Sequence, residues 1–277
     1  MAATQRRRIT RIRSGSVDTA PDAIAVEEPL EVLVDGARAT TTMRTPGHDI
    51  ELTLGWLLSE RLINQVGDVE SVRECFDVNP DDAEQPRRSV HVVTHAKPHV
   101  RPRLHATSSA CGLCGDDIIE ATLNGHAVLA PTGGFTVAQI LDFGQQMHEA
   151  QRHFAASGGL HAAALFNTAG ELMCLREDVG RHNAVDKVIG WAVQAELLPL
   201  NGFALQVSGR AAAEIAHKCI SAGIGVLSAV SAPTTMSVDL ARAAQLTLIG
   251  FARDDGINIY SAPERIIYSA PEHIADA

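Results

Sequence analysis

The chain has 277 residues, enough for one large domain or two small ones with a core that needs no staples. Hydrophobic residues make up 45% of it and no run approaches the roughly eighteen apolar residues of a membrane span, so a globular, soluble protein with no membrane segment is expected. A formal net charge of −10 argues against a general nucleic-acid binder, whose affinity comes from a basic surface, while small phosphate sites built from backbone N–H groups stay open.

The opening MAATQRRRITRIRSGS is arginine-rich and free of acidic residues, which superficially suits a transit peptide; residues 1–26 are expected to be a disordered basic tail. It has no apolar h-region, so no secretory signal is expected. The chain holds five cysteines, and Cys75, Cys174 and Cys219 stand alone in apolar surroundings, as small buried hydrophobes do in a reducing compartment. A cytoplasmic location follows as the expectation.

EVLVDGARATTTM (31–43) reads as two short strands around Asp35-Gly36, a hairpin signal. In TPGHDIELTLGWLLSERLI the residues Ile50, Leu54, Leu57, Leu58 and Leu62 recur at helical spacing. Strands are predicted near 69–78 and 89–95, with DVNPDDAEQPRR as a polar loop between them. DDIIEATLNG predicts a short helix capped by Asp116 or Asp117, and Pro131, Gly133 and Gly134 mark a boundary. Residues 27–135 are thus expected to form an α+β domain, and 136–277 a second domain that opens with a helix from Thr136 to about Phe154.

HAAALF and ELMCLR predict a hairpin around residues 167–170, followed by a helix over 183–196 with Val185, Val188, Ile189, Ala192 and Val193 on its inner face. Strands and helices then alternate through GFALQVS, AAAEIAHKCISAG, GVLSAV, TMSVDLARAAQ and LTLIGFA, the rhythm of βαβ units and a largely parallel sheet. The predicted class is α/β. Open sheets of this kind bind ligands beyond the C-terminal ends of their strands. There the chain reads REDVGRHN (176–183), SGR (208–210), SAPTT (231–235) and ARDDG (252–256). Any one of these is an ordinary polar turn, whereas four in register point to a nucleotide- or phosphate-bearing ligand. Neither a Walker A motif nor G-x-G-x-x-G is present.

The stretch SSACGLCGDD (108–117) holds a C-x-x-C pair, Cys111 and Cys114, between glycines. A structural zinc site wants four ligands, but no second knuckle follows and only His105 lies close before the pair, so no metal site is expected. The zinc deaminase signature H-x-E…P-C-x-x-C fails, because His161 begins HAA and no proline precedes Cys111. A dithiol oxidoreductase would set the pair between a strand and a long helix, and here only a short helix follows. Sulfur carriage needs an accessible thiolate on a segment able to visit donor and acceptor, and Gly112 and Gly115 give the backbone that freedom.

ACGLCG, EDVGRHNAVDKVIG (177–190), SGRAAAEIAHKC (208–219) and SAPTTMSVDLA (231–241) closely resemble the FdhD family, the accessory sulfurtransferases of formate dehydrogenase. The likeness runs from EEPLEVLVDG at about Glu27 to PERII near the end. It implies a C-terminal domain with the cytidine deaminase fold but without its zinc chemistry. It also implies sulfur received from a cysteine desulfurase as a persulfide on Cys111, with Cys114 as the second cysteine. The sulfur passes to the molybdenum bis(guanine dinucleotide) cofactor, held as substrate, before insertion into formate dehydrogenase, and a homodimer suits the family. The resemblance assigns cofactor binding to Ala252, Arg253, Asp254, Asp255, Gly256 and Ile257. The polar strand ends add His182, Ser208 and Arg210, with Arg181 or Arg210 suited to pairing a phosphate bidentately. His182 and Asp186, and likewise Asn183 and Lys187, share a helical face, while His161 is expected to be structural. Two alternatives remain beside the sulfurtransferase: a chaperone that binds the cofactor and uses its cysteines for docking or redox sensing, and a dithiol oxidoreductase.

Overall fold

Two positive-φ residues, Ser14 (φ 47) and Gly15 (φ 83), turn the chain back on itself within its first 25 residues. Strands β1 (Thr4–Arg13) and β2 (Ser16–Ala25) pair antiparallel on either side. The expected disordered tail is therefore a hairpin. Its arginines mask an alternation in which Ile9, Thr10, Ile12, Val17 and Thr19 supply β-branched strand formers around a Ser-Gly turn. In a computed structural model, residues 2–79, 82–97, 128–131 and 133–268 are described. Cys111, Cys114, His105 and the helix predicted at 116–125 lie outside them. None of the described helices is long and apolar enough to cross a membrane.

The contacts divide the chain into two units, neither of which is continuous in sequence. The first takes the described residues up to Lys97 together with Glu149–Ala163 and Cys174–Leu198; the second takes Val128–His148, Ala164–Met173 and the chain from Pro199 onward. This division differs from the boundary expected at 135/136, because segments far apart in sequence complete each core.

In the first unit, Asp35 (φ 50) and Gly36 (φ 81) form the turn between β3 (Glu28–Val34) and β4 (Ala37–Arg44). With β5 (Val69–Asn79) and β6 (Asp82–Thr94) they make a four-stranded sheet in the order β4-β3-β6-β5. The polar stretch predicted as a loop is mostly strand, since the β5–β6 ladder continues through Asp77↔Arg87 to Asn79↔Asp82. Helix α1 (Asp49–Ser59) buries Leu52, Leu54, Leu57 and Leu58.

Two further helices of the first unit are α3 (Arg152–Ser157) and α4 (Arg181–Gln194). The Glu177 carboxylate accepts from the first N–H groups of α3, His153 at 3.0 Å and Phe154 at 2.7 Å. Helices α1 and α4 cross on glycines. A Cβ on Gly55 would overlap the Asp186 carbonyl oxygen, and one on Gly190 the Glu51 carbonyl oxygen.

The helix predicted over 136–154 is two helices, α2 (Val137–Ala150) and α3, separated at Gln151 by a ψ of 77. A six-stranded sheet runs β13-β12-β11-β10-β8-β9, with β8 His161–Phe166 and β9 Leu172–Asp178. Its members β10 (Ala204–Val207), β11 (Val226–Ala229) and β12 (Thr247–Arg253) are parallel and belong to the second unit, joined by α5 (Ala213–Ala222) and α6 (Thr235–Ala244). The α/β class read from the alternation is the class observed. Strand β13 (Gly256–Ser261), antiparallel to β12, was not foreseen.

In the second unit Phe143 stacks on Phe166 with ring centroids 4.0 Å apart, and Phe135 meets Phe143 edge-on at 5.7 Å. Strand β7 (Phe135–Thr136) pairs with β14 (Ile266–Ile267), and the buried Arg265 beside it donates to the Leu129, Ala130 and Gln245 carbonyls at 2.7–2.9 Å. Main-chain oxygens thus replace water around that guanidinium.

Candidate functional site

Two polar clusters, one in each unit, hold the described candidate residues. In the first unit β9 ends at Asp178, whose carboxylate is fully buried. It accepts from the backbone N–H of Thr45 at 3.1 Å and of Gly180 at 2.8 Å, and from Asn183 Nδ2 at 3.0 Å. Lys187 Nζ lies 2.7 Å from it and also donates to the Thr45 carbonyl at 2.9 Å. Asn183 Nδ2 reaches the Met43 carbonyl at 2.7 Å, and the Thr45 hydroxyl accepts from the Val179 N–H at 3.1 Å.

The residues of EDVGRHNAVDK are thereby sorted by what they touch. Asp178, Asn183 and Lys187 lock the start of α4 to the segment after β4. A buried charge pair persists when its groups are hydrogen-bonded, and here Asp178 has four donors and Lys187 Nζ two acceptors. Asp186 accepts from the Ser59 hydroxyl at 3.3 Å, which holds α1. Sequence spacing placed Asn183 and Lys187 on one helical face but could not supply Asp178 or Thr45 as partners, because Thr45 is 133 residues from Asp178.

The lock leaves Arg181 and His182 in the first turn of α4, both half-buried, behind an N-cap glycine, Gly180, that brings no side-chain cap. His161, at the start of β8, lies in the field of the same two residues. Burial holds its pKa below the ordinary imidazole range, Arg181 and His182 push it further down, and Asp178 opposes them. Arg181 at a helix N-terminus makes this region attractive to an anion.

In the second unit the C-terminal ends of β10, β11 and β12 share one edge, because the three strands are parallel. Ser208, Gly209 and Arg210 follow β10, and Ser231–Thr235 follow β11. Ala252 and Arg253 end β12, Asp254 and Asp255 turn the chain, and Gly256 and Ile257 begin β13. So Ser208, Arg210 and residues 252–257 lie along one sheet edge, while His182 belongs to the other unit. The segments are laced together by the Thr234 N–H on the Ala211 carbonyl at 3.3 Å and the Phe251 N–H on the Ser231 carbonyl at 3.2 Å.

Ser208 is half-buried, and Arg210, Arg253, Asp254 and Asp255 are exposed. Ala252 is only 2% exposed, so it faces the core and can offer a ligand little beyond its backbone. Arg253 stands with its guanidinium carbon 5.9 Å from the Phe251 ring centroid and its Nε 3.8 Å from Asp254 Oδ2, and the turn needs a left-handed Asp254 (φ 57). Helix α6 caps itself, as the Thr234 hydroxyl accepts from the Ser237 N–H at 3.3 Å and Ser237 Oγ accepts from the Thr234 N–H at 2.9 Å. Helix α5 has no side-chain cap on Ala212.

Burial pushes the thiol of Cys174 up to about 12 and that of Cys219 higher still, so neither forms a thiolate near neutral pH. Among the described residues no His, Cys, Asp or Glu side chains gather in a group able to hold a metal ion.

Fold and site together define a mixed α/β protein whose parallel strands end in short polar segments along one sheet edge. A putative formate dehydrogenase accessory protein from Desulfotalea psychrophila has the same fold, with a TM-score of 0.76 at 23% identity over 96% of this chain and all of that one. The chain belongs to the FdhD/NarQ family, whose model matches residues 25–267. Among its relatives, the sulfur carrier protein FdhD of Mycolicibacterium paratuberculosis is 45% identical over 96% of this chain and 100% of its own length. The protein of that name from Sulfolobus acidocaldarius is 40% identical over 94% of this chain and 97% of its own length.

Proposed function

We propose that this chain is a sulfurtransferase that receives sulfur as a persulfide on Cys111 and delivers it to the molybdenum bis(guanine dinucleotide) cofactor used by formate dehydrogenase. The observation that carries the reading is that ACGLCG stands in a chain 40–45% identical, over nearly its full length, to proteins named sulfur carriers. The Cys111 thiolate attacks the outer sulfur of a cysteine desulfurase persulfide. An S–S bond forms on Cys111 as the donor's S–S bond breaks, and the donor leaves as a thiol.

Delivery passes that outer sulfur to the bound cofactor. The Cys114 thiolate attacks Cys111 Sγ, the outer sulfur leaves as hydrosulfide, and a Cys111–Cys114 disulfide remains for a thiol reductant to reopen. The cofactor enters as substrate. Its phosphates suit Arg210, Arg253 and the backbone N–H groups of the strand ends. Asp254 and Asp255 suit the N–H edge of guanine.

The test is intact-protein mass after incubation with a cysteine desulfurase and cysteine, on wild type, Cys111→Ala and Cys114→Ala. One added sulfur, removed by reductant and absent only from Cys111→Ala, is the expected result. A protein that binds the cofactor yet never gains sulfur would instead be a cofactor chaperone.

A further inference from the structure

Strand β12 departs from regular pairing where it reaches the polar edge of the sheet. Its ladder with β13 pairs Gly250 with Asn258 and Arg253 with Gly256, so Phe251 and Ala252 stand against Ile257 alone. Two residues opposing one make a β-bulge, a device that re-aims a side chain and is over-represented beside active sites. Phe251 takes the left-handed conformation there (φ 53), and among the described residues no other Phe, Tyr or Trp has a positive φ. Glycine serves such a bulge without strain, whereas a bulky side chain is held in it against its preference.

The surroundings keep the bulge in place. The Phe251 N–H donates to the Ser231 carbonyl at 3.2 Å. Gly250, just before it, is packed so closely that a Cβ would come within 2.9 Å of Pro233 Cδ and 3.1 Å of Tyr260 Cε2. The strand therefore has no room to slide and relax. The result is an outward turn of one side chain: Thr247–Gly250 and Ala252 are buried, while Phe251 is exposed. An exposed aromatic held in a strained conformation at a strand end gives the core little, which points to a role outside the core.

We propose that Phe251 is a stacking platform for the base of a purine nucleotide. The inference rests on the reading of this sheet edge as the cofactor site and adds to it the side chain that grips the base. Aromatic rings and guanidinium planes are the side-chain surfaces on which bases stack, and the Arg253 guanidinium stands beside the Phe251 ring.

Cations on the same edge complete the fit. The exposed Arg210 follows β10, which lies two strands from β12 in the order β12-β11-β10. At about 4.8 Å between strands the separation is about 10 Å, a distance that a nucleotide spans from base to phosphates. A base on Phe251 thus leaves the phosphates within reach of Arg210 and of the N–H groups after β10 and β11. Stacking accepts either purine, so Phe251 supplies affinity, and the choice of guanine falls to Asp254 and Asp255.

The experiment is calorimetric titration of the full chain with GDP, ADP and pyrophosphate, on wild type, Phe251→Gly, Phe251→Leu and Phe251→Trp. The glycine and leucine variants should bind GDP and ADP about tenfold more weakly or worse, by the same factor for both, with pyrophosphate unaltered. Phe251→Trp should keep the affinity. In NMR the H8 proton of GDP should move upfield on binding to wild type and lose that shift with Phe251→Leu. Glycine accepts φ 53 freely, so Phe251→Gly should keep the wild-type urea midpoint, which separates lost binding from lost fold. Undiminished GDP binding by the glycine and leucine variants, or an equal loss of pyrophosphate, overturns the platform and leaves the cofactor reading standing. A wild type that binds neither nucleotide overturns the platform and the placing of the cofactor on this edge together, while sulfur uptake by Cys111 is decided separately by mass.

Discussion

Lys187 is 1% exposed and Asp178 not at all, which makes the pair the most demanding in the first unit. Removing one partner leaves a buried charge without its counter-ion, its remaining hydrogen bonds notwithstanding. Lys187→Met, close in shape, is therefore expected to lower stability by about 3–5 kcal/mol in urea unfolding. D178N/K187M should cost less than the two single changes added together. His161 carries a pH signature of the same cluster. Burial, then Arg181 and His182, hold its folded pKa below the ordinary value. The unfolded chain, with its imidazole near about 6.5, then binds more protons in the window between the two values. Stability rises with pH through that window: the contribution is complete above the unfolded pKa and is lost as pH falls through the folded one. An NMR titration should find this ring below the ordinary range, and Arg181→Gln should move it part of the way back. His161→Phe should flatten the slope of stability against pH in that window; an unaltered slope would separate His161 from it.

The crossing of α1 and α4 is set by the absence of two side chains. Gly55 and Gly190 each lie against a carbonyl of the facing helix, and a methyl at either would overlap it. Alanine is the better helix former by about 1 kcal/mol, so an exposed glycine would gain from the change. Here overpacking wins. Gly55→Ala and Gly190→Ala are each expected to cost about 1–3 kcal/mol or more, read as a lowered thermal midpoint with the helical signal retained. The helices themselves were legible, since leucines at 54, 57 and 58 and valines at 185, 188 and 193 repeat at helical spacing. Their partnership was not, because periodicity describes one element and says nothing about which distant element covers it. The break between α2 and α3 at Gln151 lacks the glycine or proline that would have marked it. The hairpin of residues 4–25 was hidden by its arginines, and β13 by the DDG turn before it, which reads as well for a ligand loop as for a hairpin tip.

At the scale of the whole molecule, the chain's order and its cores do not coincide. The C-x-x-C motif and the parallel strand ends were readable because each is local in sequence. The Asp178 lock was not, because it joins residues near 45 with residues near 180. Composition drops at Pro131-Gly133-Gly134 as it would at a linker, and that is where the sequence predicted a boundary. Yet the core of the first unit closes only when Cys174–Leu198 returns to it with Asp178 and α4. A fragment of residues 1–135 would leave the buried face of α1 uncovered, with Gly55 facing no helix and Thr45 without the carboxylate that receives its N–H. A fragment of residues 136–277 would in turn bury Lys187 without the Thr45 carbonyl and leave the α4 face of Val185, Val188 and Ile189 open to water. Each bare apolar face forfeits about 25 cal/mol for every Å² left in water, against a whole-domain stability of only about 5–15 kcal/mol. Expressed separately, both fragments should therefore give collapsed amide proton spectra and no cooperative urea transition, while the full chain gives dispersed resonances and a sharp one. A dispersed spectrum from the 1–135 fragment alone would show that its sheet and α1 form a core without α4, and would restore the sequential boundary.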